Sequence, residues 1–77
     1  MKIEYKGKYP VSAKISEHRL VVFDASFDSG KEVRSVTLHK SSGELIGREL
    51  DDDVISEVRD SAFGSEMISR GELSITP

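Results

Sequence analysis

The densest set of groups capable of chemistry is the acidic run Glu49, Asp51, Asp52 and Asp53. Clustered carboxylates suit a hard cation such as Mg²⁺ or Ca²⁺, which takes oxygen ligands. Consecutive carboxylates at a helix start diverge around the axis, however, and do not converge on one ion. The same residues have a simpler role. Asp51 is a natural N-cap, able to accept from an otherwise unpaired backbone N–H. Asp52 and Asp53 then fall in the first turn, where the positive end of the helix dipole favours them. No metal site is expected here.

A second acidic series, Asp24, Ser26, Asp28, Gly30 and Glu32, places oxygens at alternate positions like a calcium loop. Such a loop needs glycine at its sixth position and a bidentate acid at its twelfth. Those positions hold Ser29 and Ser35. The Gly30-Lys31 pair inside it also falls short of a phosphate loop. The first glycine of that motif would fall at Ala25, and its Mg²⁺-binding hydroxyl is replaced by Glu32. Outward strand residues running into a turn explain the whole stretch.

Nucleophilic chemistry has little to work with. Cysteine is absent and His18 and His39 are the two histidines, so a thiol–imidazole pair is excluded. Twelve serines are present, but none lies in a G-x-S-x-G elbow. Both histidines are expected at the surface near turns. No pair of groups is placed for proton transfer, so the chain reads as a non-enzyme without a cofactor.

The remaining set is basic and aromatic: Lys2, Lys6, Lys8, Lys14, Arg34 and Lys40, with Tyr5 and Tyr9. Charge for phosphates and rings for bases is how single-stranded nucleic acid is held. The competing account is a solvated face, with lysines also protecting strand edges from aggregation.

These side chains are carried by elements with two different periods. Ile3 and Tyr5 alternate with polar residues, and after Gly7 so do Val11, Ala13 and Ile15, which predicts an N-terminal hairpin. Pro10 near the start of the second strand suggests an edge. Ser16-Glu17-His18 reads as a turn. Arg19 to Phe27 follows, with Leu20–Phe23 apolar on both faces, as in a central strand covered on both sides. Phe23, Ala25 and Phe27 share one of those faces. Asp28-Ser29-Gly30-Lys31 signals a turn. Val33–Lys40 and Glu44–Arg48 are strands around a Ser41-Ser42-Gly43 loop, with Gly47 marking a bulge or a close backbone contact.

Helical periodicity is confined to Leu50–Gly64. Leu50 and Ile55 occupy staple positions. Val54, Ile55, Val58, Ala62 and Phe63 form the stripe expected to be buried, over a helix of Asp52 to Phe63. Gly64 is expected to stop it. Residues from Met67 to Ile75 alternate as a final strand. The predicted order is β-β-β-β-β-α-β: an α+β fold, with one helix on a small, largely antiparallel sheet of five to six strands.

Seventy-seven residues make one domain, residues 1–77, with a small core. Net charge is −3 and it is polarised. Residues 1–40 hold eight basic and five acidic residues, and residues 41–77 hold three and nine. The overall sign argues against a generic nucleic-acid binder, and the absence of Asn and Gln removes one route to reading bases. The N-terminal stretch lacks the apolar run of a signal peptide, and no apolar run approaches a membrane span. A small chain without cysteine fits the cytoplasm.

Polarised charge steers encounter with a partner. The expectation is therefore a small interaction module: a regulator, inhibitor or adaptor, of the kind common among phage and mobile-element accessory proteins, binding another protein. Its expected contacts are the acidic helix residues Asp52, Glu57 and Asp60 and the basic strand residues Lys2, Lys6, Lys8 and Lys14 with Tyr5 and Tyr9. The alternative is a single-stranded nucleic-acid-binding module built on the basic N-terminal sheet face. A homodimer through the terminal strands is open in either case.

Overall fold

The computed structural model describes residues 1–77. Its elements are β1 (Lys2–Tyr5), β2 (Val11–Ser16), β3 (Arg19–Asp28), β4 (Lys31–Lys40), β5 (Leu45–Gly47), α1 (Asp52–Asp60), α2 (Ala62–Ser69) and β6 (Leu73–Thr76). The α+β class holds, but there are two antiparallel sheets and two helices. Strands β2-β3-β4-β5 form a meander, and β1 pairs with β6 as a separate ribbon.

The meander follows its local signals. Ser29 (φ 52°) and Gly30 (φ 83°) both take positive φ, the signature of a two-residue type I′ turn that matches strand twist. This turn sets the register Asp28↔Lys31, which runs unbroken to Arg19↔Lys40. The Glu17–His18 turn joins β2 to β3, and Ile46 is the extra residue of a bulge between Leu38↔Gly47 and His39↔Leu45. Strand β2 is an edge, as Pro10 suggested.

Several expectations are corrected. The N-terminal hairpin does not form: β1 crosses to β6, with Ile3 opposite Ile75 and Tyr5 opposite Leu73, while β2 pairs with β3. The helix does not run to Phe63. Ser61 leaves the helical region (φ −73°, ψ 151°), ending α1 and capping α2. Its hydroxyl donates to the Val58 carbonyl at 2.7 Å and accepts from the Gly64 N–H at 3.0 Å. Ala62, expected in the buried stripe, is exposed after this turn. The final strand is likewise shorter, because Met67–Ser69 belong to α2. Gly71 (φ 78°), not Gly64, stops the helix. Its N–H bonds to Ile68 and that of Glu72 to Met67, the Schellman pattern.

The core lies on one face of the meander. Val21 and Phe23 of β3 are fully buried, against Val54 and Val58 of α1, Met67 of α2, Tyr5 of β1 and Leu73 of β6. The opposite face, with Leu20 and Val22, is half-buried and carries no layer, so β3 is covered on one side and not two. The helix start is as expected: the Asp51 carboxylate accepts from the Val54 N–H at 2.9 Å. Asp51→Ala is expected to cost about 0.5–2 kcal/mol, read as a lower urea midpoint. An unchanged midpoint would mean that Asp52 or Asp53 takes over the cap.

Candidate interaction surface

The β3–β4 hairpin outruns everything around it. Ten residues of strand extend over ~33 Å, whereas a nine-residue helix such as α1 covers only ~13 Å. Flanking strands are short too. The last β2 partner on β3 is Phe23, opposite Val11, and β5 reaches only Leu38 on β4. From Asp24 to Ser35 the hairpin therefore projects as a two-stranded arm. Alternation puts Phe27 on the same face as Phe23, as the sequence implies, but no element reaches it. Phe27 is 74% exposed, and Val33 on the other face of the arm is 43% exposed.

The loop between β1 and β2 passes under the base of this arm. Two bonds hold it there: the Tyr5 hydroxyl donates to the Tyr9 carbonyl, and Arg34 Nε donates to the Gly7 carbonyl at 2.8 Å. Arg34 also grips Glu32 at 2.8 Å. Between loop and arm lies a cleft of about 450 Å³ lined by Lys8, Ala25, Ser26, Phe27, Glu32, Val33 and Arg34. Tyr9, next to Lys8, is 75% exposed. The cleft thus combines one large ring, the small Ala25 methyl, one free cation and one internally neutralised ion pair.

The residues singled out from the sequence do not form one site. Tyr5 is buried against Phe23, with ring centroids 5.4 Å apart, so it offers no ring to a base. Lys2 and Lys6 alternate with the half-buried Ile3 and the buried Tyr5 on the outer side of the β1–β6 ribbon. Lys2 pairs with Glu4 at 3.0 Å, and that bond holds the Glu4 carboxyl below its ordinary value. Lys14 sits beside Leu20 on the uncovered face of the meander, on the opposite side of the core. Lys8 alone reaches the cleft.

The acidic helix residues divide as well. Asp52 takes the N-terminal ammonium at 2.8 Å. Glu57 holds Arg19 through both oxygens at 3.0 and 3.1 Å. Asp60 meets Arg59 at 3.3 Å. Glu57 and Asp60 share a shallow depression with Asp53 and Arg19, whereas Asp52 does not. Exposed pairs of this kind contribute ~0–1 kcal/mol each.

His39 is half-buried rather than exposed. Its Nδ1 donates to the Gly43 carbonyl at 3.0 Å, so Nε2 accepts from the Thr37 hydroxyl at 2.8 Å. The ring thereby ties β4 to its own turn. His18 is exposed beside Glu17. No three His, Asp or Glu side chains are grouped to hold a metal, and no helix is long and apolar enough to cross a membrane.

Phe27 and the open flank of β3 are the features that sequence reasoning missed. A signal existed: ten-residue strands on both sides of a tight turn, next to a six-residue and a three-residue strand, must leave their tip unflanked. The chain matches no protein-family model, no curated protein and no solved structure.

One titration follows from the loop geometry. Burial, reinforced by Glu72, pushes the Tyr5 phenol above its ordinary value of 10.0. The unfolded chain then loses that proton at lower pH than the folded one. The contribution of Tyr5 is fully present below about pH 10 and is lost as pH rises through the folded value. Stability should fall between about pH 9 and pH 11 more steeply in the parent than in Tyr5→Phe, measured by urea denaturation. Parallel curves would contradict the buried phenol.

Proposed function

We propose that this chain is a small non-enzymatic interaction module, acting by occupying a surface on another protein, and that the β3–β4 arm is its contact surface. The observation that carries this is Phe27, 74% exposed on the two-stranded ribbon beside a cleft. Single exposed apolar residues are ordinary. A large ring held over a concave site is different, because aromatic side chains seated in such pockets dominate the energetics of protein interfaces. Lys8 and the exposed Tyr9 flank the same cleft and would extend the contact. The polarised charge of the chain supports steering toward a partner.

The test places a photo-crosslinking phenylalanine analogue at position 27, and at Ile68 on α2 as a control, in cells that naturally express the protein. A discrete, nuclease-resistant protein adduct from position 27 and not from position 68 is the expected result. Adducts to nucleic acid alone would replace this reading with the single-stranded nucleic-acid one, with Tyr9 as the stacking ring. Equal, diffuse labelling from both positions would remove the arm as a contact surface.

A further inference from the structure

The open flank of β3 has a definite hydrogen-bonding pattern. A two-residue turn makes Asp28 and Lys31 a hydrogen-bonded pair. In antiparallel pairing the inward peptide groups alternate, so Ser26 and Asp24 also turn theirs toward β4. Ala25 and Phe27 then point their N–H and C=O groups away from β4, toward the side where β2 has already ended. No backbone bond from the β1–β2 loop reaches either of them. Four main-chain groups are therefore presented in strand geometry, on residues that line the cleft.

Charge selects what can pair there. The side chains that alternate with Ala25 and Phe27 along this flank are Asp24, Ser26 and Asp28. A second copy pairing antiparallel about Ser26 would set Asp24 against Asp28 of its twin, twice. Like charges directly opposite across strands are destabilising, so the flank is protected against self-pairing in the way natural edges are. The same two carboxylates favour a strand that brings cations to those positions. On the cleft face, the residues opposite Ala25 and Phe27 would meet the Phe27 ring and the Ala25 methyl.

We propose that the β3 flank accepts an extended segment of a partner protein as an added antiparallel strand, with basic residues four apart facing Asp24 and Asp28 and apolar residues between them entering the cleft. This rests on the interaction-module reading and specifies its partner. Main-chain bonds supply the pairing and alternate side chains supply the choice, as in other strand-addition sites.

The test begins with selection of random nonapeptides displayed on phage against the full chain, followed by anisotropy titration of the selected peptides as labelled synthetics. Enrichment of a Lys/Arg–apolar–any–apolar–Lys/Arg pattern is expected. N-methylation of the two peptide amides that face Ala25 and Phe27 should weaken binding at least about tenfold, since each removes a main-chain bond and adds a clash. The double variant Asp24→Asn, Asp28→Asn should bind more weakly and with less dependence on salt. Enrichment of acidic or patternless peptides, no enrichment, or indifference to N-methylation would overturn the added strand. If Phe27→Ser abolishes peptide binding while N-methylation does not matter, the interaction module stands and this mode fails. If neither change matters, both fail.

Discussion

Phe23→Ala is expected to cost about 3–5 kcal/mol, the range for truncating a fully buried phenylalanine. Phe23 is fully buried. Its ring lies 5.4 Å from that of Tyr5 and 6.3 Å from that of Phe63, so it joins the β1–β6 ribbon and the second helix to the meander. A chain of this size has roughly 4–12 kcal/mol of total stability by the usual per-residue range. The loss would consume a large part of that and leave a substantial unfolded fraction without denaturant. Circular dichroism during urea titration reads it directly. A cost under about 1 kcal/mol would mean that the two sheets do not share a core.

Gly64→Ala is expected to destabilise, against the helix scale. Alanine is favoured over glycine inside a helix by about 1 kcal/mol, and Gly64 lies within α2. Yet Gly64 is buried in the corner between the helices, where an added Cβ would run into the Val58 carbonyl and press on Ser61 Oγ. That carbonyl is fixed, since it accepts from both the Ser61 N–H and the Ser61 hydroxyl. Opening the corner would shift α2 and with it the buried Met67. A loss of about 1–3 kcal/mol or more is expected from overpacking. An increased urea midpoint would show that the corner is loose and that the close approach of the two helices does not require glycine.

The contrast between these two positions shows what was legible. Phe23 stood out because alternation and an apolar run place it centrally in a strand. The Ser29-Gly30 turn, the Ser41–Gly43 loop, the bulge beside Gly47 and the Asp51 cap were equally local, and each was readable from a few neighbouring residues. Gly64 misled because a glycine after a helical stripe has two physical uses, a left-handed stop and a close approach. Only the packing of α1 against α2 selects the second.

The segment after Gly64 failed for a related reason. Met67, Leu73 and Ile75 fit a period of two, while Phe63 and Met67 fit a helical spacing of four. The deciding signals were Ser61 as an N-cap and Gly71 as the C-terminal stop. The β1–β6 pairing joins the two ends of the chain and has no local signature at all, so the sequential hairpin was the default. The acidic and basic residues read as one site each were scattered for the same reason. Lys2, Lys6 and Lys14 alternate correctly on their strands, but their strands belong to different sheets.

Phe27 tests the functional account most directly. By alternation it belongs with the core residues, and by position it lies beyond everything that could cover it. If its role is contact and not folding, Phe27→Ser should leave the urea midpoint of the free protein within about 0.5 kcal/mol of the parent, as for surface substitutions away from structural features. A loss of about 2 kcal/mol or more would show that the ring is packed in the folded protein, which would contradict the projecting arm and the contact surface drawn from it.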